Sequence, residues 1–233
     1  MGMGLPFTVH CSLFPNQMRI AALLVLLLAT RPAAGADNEL HKIIANAGAV
    51  ATYAVAAVFG DRPLENALRP EIERRGVGLQ LATESGRPDN LDLYQLTYTW
   101  YWRAPLIERP GWRMKGAWQV NASVWKADSS YPNDVLYNVG ITPFLRFEPN
   151  ARVGGATPYV EFGLGPQLIS QTAIANRNKS TLLQFGGNYG VGVAFGSKDE
   201  YRLGYRFLHV SNAGIKKPNA AVDFYGVVLE LRY

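Results

Sequence analysis

Tyr201-Arg202-Leu203-Gly204-Tyr205-Arg206-Phe207-Leu208-His209-Val210-Ser211 is the stretch whose reading decides the fold. As far as Phe207, large apolar side chains alternate one for one with arginine or glycine. A period of two belongs to the β-strand, where alternate residues share a face. The same period runs outward in both directions. Downstream, 223–233 sets Tyr225, Val227, Leu229, Leu231 and Tyr233 against Gly226, Glu230 and Arg232. Upstream, 181–195 sets Leu183, Phe185, Tyr189, Val191, Val193 and Phe195 against Gln184, Asn188 and glycines, and 159–168 sets Val160, Phe162, Leu164 and Leu168 against Tyr159, Glu161 and Gln167. The stretches 135–148, 112–125 and 92–103 alternate likewise. With 77–84 they make about eight strands, each near the length that a tilted membrane strand needs.

One face of these strands is apolar and aromatic; the other repeats charged residues, amides and glycine. A soluble sandwich alternates too, but turns its apolar face inward. Here the polar face would make a poor dry core. An all-β architecture, an eight-stranded antiparallel transmembrane β-barrel over 76–233, accommodates both faces, with polar groups inside and apolar groups towards lipid. A soluble barrel is the competing reading.

The N-terminus sets the compartment. Residues 20–30, IAALLVLLLAT, are apolar but too short to span a bilayer comfortably; Arg19 precedes them and Ala34-Gly35-Ala36 follows. A basic residue, an apolar run and a small-x-small site describe a secretory signal peptide, so 1–36 is expected to be removed after Ala36, with Met18 as an alternative start. An uncleaved anchor fits less well, because the run is short and ends at Pro32. The remainder, 37–233, has the length of one domain with a sizeable core. Cys11 falls in the leader, leaving no thiol chemistry and no disulfide framework. The net charge of +5 drops to +3 without Arg19 and Arg31. That is no case for a nucleic-acid partner, and it suits contact with anionic lipid headgroups. An N-terminal extension, 37–75, precedes the barrel. Within it 43–59 is mostly Ala and Val, broken by Asn46 and Gly48, and is expected as a short helix under or beside the barrel rather than a second span. The charged, proline-containing 61–75 reads as a connector.

Beyond the leader there are two histidines, His41 and His209. His209 and Ser211 continue the apolar row of Tyr201, Leu203, Tyr205 and Phe207. Two strand steps separate Cα atoms by roughly 7 Å, a gap that an imidazole mostly covers. A potential base and a potential nucleophile therefore lie side by side on the face turned to lipid. The link 212–222 is rich in turn formers: Asn212, Gly214, Pro218 and Asn219. A hairpin centred near Lys216 pairs 209 with 223, 207 with 225 and 205 with 227. Cross-strand partners on one face have Cβ atoms about 5 Å apart, so Asp223 is placed to orient His209 and stabilise its imidazolium. Asn212 and the backbone near Gly214 are candidates for oxyanion support. His-x-Ser pairs are common by chance, and aspartates near loops are ordinarily solvated. Three polar residues on a lipid-facing row, however, are costly, and polar groups there tend to be functional. No convincing metal-ligand cluster is present, and the chemistry needs no cofactor.

His209-Val210-Ser211-Asn212-Ala213-Gly214-Ile215-Lys216-Lys217-Pro218-Asn219 resembles the C-terminal signature of the lipid A 3-O-deacylases. Pro158-Tyr159-Val160-Glu161-Phe162-Gly163-Leu164-Gly165 and Asn178-Lys179-Ser180-Thr181-Leu182-Leu183-Gln184-Phe185-Gly186 resemble that family as well. The likeness covers roughly 76–233 and is specific in its last third. It implies an eight-stranded barrel in the bacterial outer membrane, with lipid A or lipopolysaccharide as substrate and outer-membrane lipid as its surroundings. It also implies a Ser-His-acid triad that hydrolyses the acyl ester at the 3-position, with Ser211 as nucleophile and His209 as base. The family carries Glu as third member; this chain has Asp223, one methylene shorter. The extension 37–75 is longer than the resemblance explains. Two rivals stand beside this reading: a non-enzymatic structural or adhesive barrel, and a periplasmic lipocalin-like carrier. Whether the barrel acts alone or as a homodimer is left open by the sequence.

Overall fold

The computed structural model describes residues 39–84, 90–127 and 131–233; the expected leader, its cleavage site and Cys11 lie outside the described residues. In chain order the described elements are α1 (Glu39–Phe59), α2 (Pro63–Leu68), β1 (Ile72–Glu84), β2 (Leu91–Trp102), β3 (Ile107–Arg109), β4 (Trp112–Ala127), β5 (Val135–Pro149), β6 (Thr157–Ile169), β7 (Ala173–Ile174), β8 (Arg177–Asn178), β9 (Leu183–Phe195), β10 (Tyr201–Ser211) and β11 (Val222–Arg232). The eight long strands pair antiparallel in the order β2-β1-β11-β10-β9-β6-β5-β4, and β4 pairs back with β2, so the sheet closes on itself. Closure leaves no strand edge to protect. The short β3 pairs with β4 at one rim, and β7 with β8 at the other.

Each strand keeps the parity of its sequence. Gln80, Gln95, Thr97, Thr99, Gln119, Arg146, Glu161, Arg202, Arg206 and Glu230 all point into the barrel and are buried. Glu161 accepts hydrogen bonds from Arg206 Nη2 at 2.6 Å, Arg146 Nη2 at 2.9 Å and Arg202 Nη2 at 3.0 Å. Arg202 also reaches Glu230 at 3.3 Å. Charges held so far from water stand only when paired in this way. The outer row is the inverse: Val77, Leu96, Tyr137, Leu203, Val227 and Leu229 are exposed. A soluble carrier keeps its apolar face inside, so this distribution speaks against a lipocalin-like barrel.

Two expectations are corrected. The inner face is not polar throughout: towards the rim that carries 170–182 and 212–221, Leu93, Trp125, Leu136, Ile169, Leu208, Val210 and Phe224 close the lumen with a dry cluster. These residues keep the inward parity, but inside the barrel they face each other rather than water, so the apolar effect favours them there. The stretch 61–75 is more than a connector, since α2 occupies its middle and β1 already begins at Ile72.

The extension places α1 beside the barrel, against β6, β9 and β10. His41, Ala45, Ala49, Thr52 and Ala56 recur at helical spacing and are buried, whereas Ile43, Val50, Val55 and Val58 are exposed. The face towards the barrel is built of small residues; at Gly48 an added Cβ would lie 3.1 Å from the Phe162 ring. Tyr53 fixes the middle of the helix. The β5–β6 ladder lapses between Gly140↔Gln167 and Phe144↔Gly163, where Pro143 offers no N–H. The Tyr53 hydroxyl enters that gap, accepting from the Leu164 N–H at 2.7 Å and donating to the Pro143 carbonyl at 2.5 Å. At its C-terminal end, Asp61 N–H donates to Leu106 O in the β2–β3 link. The helix thus runs from the site rim to the opposite rim. It is longer than expected: Leu40–Phe59 is long and apolar enough to cross a membrane, about 30 Å at the helical rise.

Candidate active site

The β10–β11 hairpin has the register that its turn residues imply: His209 opposes Asp223, Phe207 opposes Tyr225, and Tyr205 opposes Val227. On the other side of β10, His209 opposes Gly187 and Ser211 opposes Phe185. His209, Ser211 and Asp223 therefore share the outer face, near the end of the strands. The carboxylate Oδ1 of Asp223 lies 2.6 Å from His209 Nδ1. With Nδ1–H given to the carboxylate, the unprotonated Nε2 is left as the basic atom; the tautomer is inferred from that bond. Ser211 is half-buried and sits one pleat repeat further along the same face. His209 and Asp223 are each only 7% exposed.

That burial comes from α1. Two pairs below His209 and Asp223, and next on the same face, Tyr189, Phe207 and Tyr225 form a row of rings across β9, β10 and β11, with centroids 5.1 Å and 4.8 Å apart. His41 roofs this row, 5.6 Å from both Phe207 and Tyr225, and its Nδ1 is hydrogen-bonded to the Tyr189 hydroxyl. Phe207 is 0% exposed, whereas Leu203 on the same row but beyond the helix is 45% exposed. The next residue of α1, Lys42, brings Nζ to 3.9 Å from Asp223 Oδ2. Sequence reading assigned no role to His41 or Lys42. Both lie in the extension, and only the docking of α1 against the barrel brings them to the site.

The link after Ser211 is held by its own side chains. Asn212 is fully buried, and its Nδ2 donates to Lys179 O at 3.0 Å and Lys216 O at 2.6 Å. Its Oδ1 accepts from Gly214 N–H at 2.9 Å, and its own N–H donates to Asn219 Oδ1 at 3.0 Å. Gly214 has φ +78°, a region that favours glycine. Asn212 and Gly214 are thus brought together, and their donors brace the turn. The 170–182 link supports it from the side, with Lys179 Nζ donating to Val210 O and Ala220 O and Ser180 Oγ donating to Pro218 O. The resemblance covered Lys179 and Ser180, but nothing in their local pattern indicated that they clamp the hairpin. No group of three or more His, Cys, Asp or Glu side chains able to hold a metal occurs among the described residues.

An oriented imidazole beside a serine, on a wall that faces hydrocarbon, is suited to acyl transfer from a substrate that is itself a lipid. Comparison with known proteins points the same way. A family model described as lipid A 3-O-deacylase (PagL) matches residues 92–232. The lipid A deacylase PagL of Bordetella bronchiseptica is 31% identical over 115 residues, 49% of this chain and 58% of that protein, so the match spans less than two thirds of that relative. The lipid A deacylase PagL of Pseudomonas aeruginosa is 24% identical over 138 residues, 59% of this chain and 76% of that protein. The crystal structure of the outer membrane enzyme PagL matches with a TM-score of 0.57 at 22% identity, covering 67% of this chain and 98% of that one, a likeness of fold. The helix α1 lies outside the residues that the family model matches.

Proposed function

This chain belongs to the lipid A 3-O-deacylase (PagL) family, and from that premise we propose that it hydrolyses the ester-linked acyl chain at the 3-position of lipid A in the bacterial outer membrane. The observation that carries the chemistry is the His209–Asp223 pair at 2.6 Å on the outer row, with Ser211 next on the same face. His209 Nε2 removes the Ser211 proton as Oγ attacks the ester carbonyl carbon. Asp223 remains ionised and steadies the imidazolium. Collapse of the tetrahedral intermediate breaks the bond to the sugar oxygen, which takes its proton from His209. Water, activated by the same imidazole, then attacks the acyl-serine and frees the fatty acid. The oxyanion is received by backbone N–H groups of the 212–214 turn; for Asn212 and Gly214 this means exchanging their bonds to Asn219 Oδ1 and Asn212 Oδ1. In bacterial barrels the first strand starts and the last strand ends on the periplasmic side; β1 starts and β11 ends at the rim opposite the site, so the 212–221 link faces outward and the triad stands near the outer edge of the apolar band.

The test is mass spectrometry of lipid A incubated with the purified protein in detergent. The wild-type chain should release one 3-linked acyl chain, and Ser211→Ala should lower the rate by at least about a thousandfold. Ser211→Ala should keep the heat-modifiable migration of a folded barrel. A Ser211→Ala protein that deacylates at a near wild-type rate overturns the mechanism. No release of fatty acid by the folded wild type would favour the purely structural barrel.

A further inference from the structure

We propose that Lys42 is a positioning residue of this active site: an ammonium group, carried in by a helix outside the family's matched segment, that holds Asp223 against His209 and offsets part of its charge. The proposal rests on reading Ser211, His209 and Asp223 as catalytic. Asp223 divides its two oxygens: Oδ1 faces His209 Nδ1 at 2.6 Å, and Oδ2 faces Lys42 Nζ at 3.9 Å. A carboxylate contacted on one oxygen only can swing about its Cα–Cβ and Cβ–Cγ bonds. One hydrogen-bonded on one oxygen and drawn towards an ammonium on the other is restrained in that swing. This matters more for an aspartate than for the glutamate of the family, because the shorter side chain has less reach with which to correct its own aim.

The backbone that carries Lys42 is itself held in place. His41 is enclosed by Tyr189, Phe207 and Tyr225 and hydrogen-bonded to the Tyr189 hydroxyl. Further along, Tyr53 is anchored in the β5–β6 gap. The Asp223 side chain is only 10% exposed and that of Lys42 29%, so water screens the pair less than it would a surface pair. Among the described residues, the titratable groups facing Asp223 and His209 are few. From α1 come His41 and Lys42; from β9 and β11 come Tyr189 and Tyr225, with Tyr205 of β10 behind them. On the lumen side Glu84 is paired with Arg177, and Lys179 donates to backbone carbonyls. Of the described groups on the outer face, Lys42 is the one whose ammonium approaches the carboxylate.

The experiment measures kcat and KM against pH, on defined lipid A in detergent, for the full-length wild type, Lys42→Met, Lys42→Arg and Ser211→Ala. Without the ammonium, the Asp223 carboxylate favours the imidazolium more strongly. The acidic limb of kcat/KM should then move to higher pH in Lys42→Met, by about half to one pH unit. At the plateau kcat should fall several-fold while KM stays within about twofold of wild type. Lys42→Arg should restore the limb. Loss of rate by one factor at every pH would mean that Lys42 merely docks the helix, and a rise confined to KM would make it a substrate contact; either overturns the inference. If Ser211→Ala retains activity, the reading of the triad fails instead, an outcome that these arms keep separate.

Discussion

At the scale of the residue, Asp223, the proposed acid, has the most to explain. Asp223 reaches His209 in spite of its shorter side chain because the antiparallel register sets the two directly opposite each other. In such a pair the Cβ atoms lie about 5 Å apart, close enough for an aspartate to bridge. Asp223→Ala should therefore lower kcat by about two to four orders of magnitude, since His209 loses the partner that fixes its tautomer. Asp223→Glu should retain substantial activity, because a glutamate adds reach along a path that is already open to it. Steady-state kinetics on lipid A check both, and full activity in Asp223→Ala would mean that another group orients His209. The register, and with it the pairing of His209 with Asp223, was legible in the sequence, because parity and turn residues are local signals. The bracing by Asn212 was legible only as a residue type. Its buried position under Lys179 and Lys216 comes from two links far apart in the chain.

The element that the sequence shows least well is α1. Its alanines and valines announce a helix, and Asn46 and Gly48 look like interruptions. In the structure these are the positions of closest approach: a Cβ added at Gly187 would lie 2.2 Å from Asn46 Oδ1. Glycines on both partners let helix and sheet meet where a larger residue would hold them apart. Period alone reports which face of a helix is distinct, not which strands that face will meet. Tyr53 carries the same lesson for stability. Its hydroxyl satisfies Leu164 N–H and Pro143 O, two backbone groups that the proline-interrupted ladder leaves without each other. Tyr53→Phe removes one oxygen and strands both groups in an apolar setting, at a cost of about 1–3 kcal/mol. Urea titration of the barrel in detergent should show the midpoint falling by a corresponding amount. An unchanged midpoint would mean that the gap is hydrated and that the hydroxyl is dispensable.

For the whole molecule the argument turns on which side of the wall meets lipid. The alternation that begins at Tyr201 fixes this in principle, because shifting a strand by one residue exchanges its two faces. It does not show that part of the outer face is roofed by protein. Phe207 and Leu203 belong to one row and read alike in sequence, yet Phe207 lies under His41 while Leu203 is 45% exposed. Leu229, 51% exposed on β11, belongs with Leu203. Thr97, 4% exposed, points into the lumen. Single cysteines at these four positions, after replacement of Cys11, separate the surfaces once they carry a small fluorophore and the barrel is placed in bilayers. Labels at Leu203 and Leu229 should be quenched by lipid-borne nitroxide and not by iodide. The label at Thr97 should be immune to the lipid quencher. The label at Phe207 should be shielded from both while α1 is docked, and should gain lipid quenching when Gly48→Leu pushes the helix away from Phe162. Such a gain would establish that α1 stands between the bilayer and the aromatic row below the triad. Lipid quenching at Phe207 with wild-type α1 in place would mean that the helix does not cover the site in the membrane, and that the acyl chain meets the catalytic face directly.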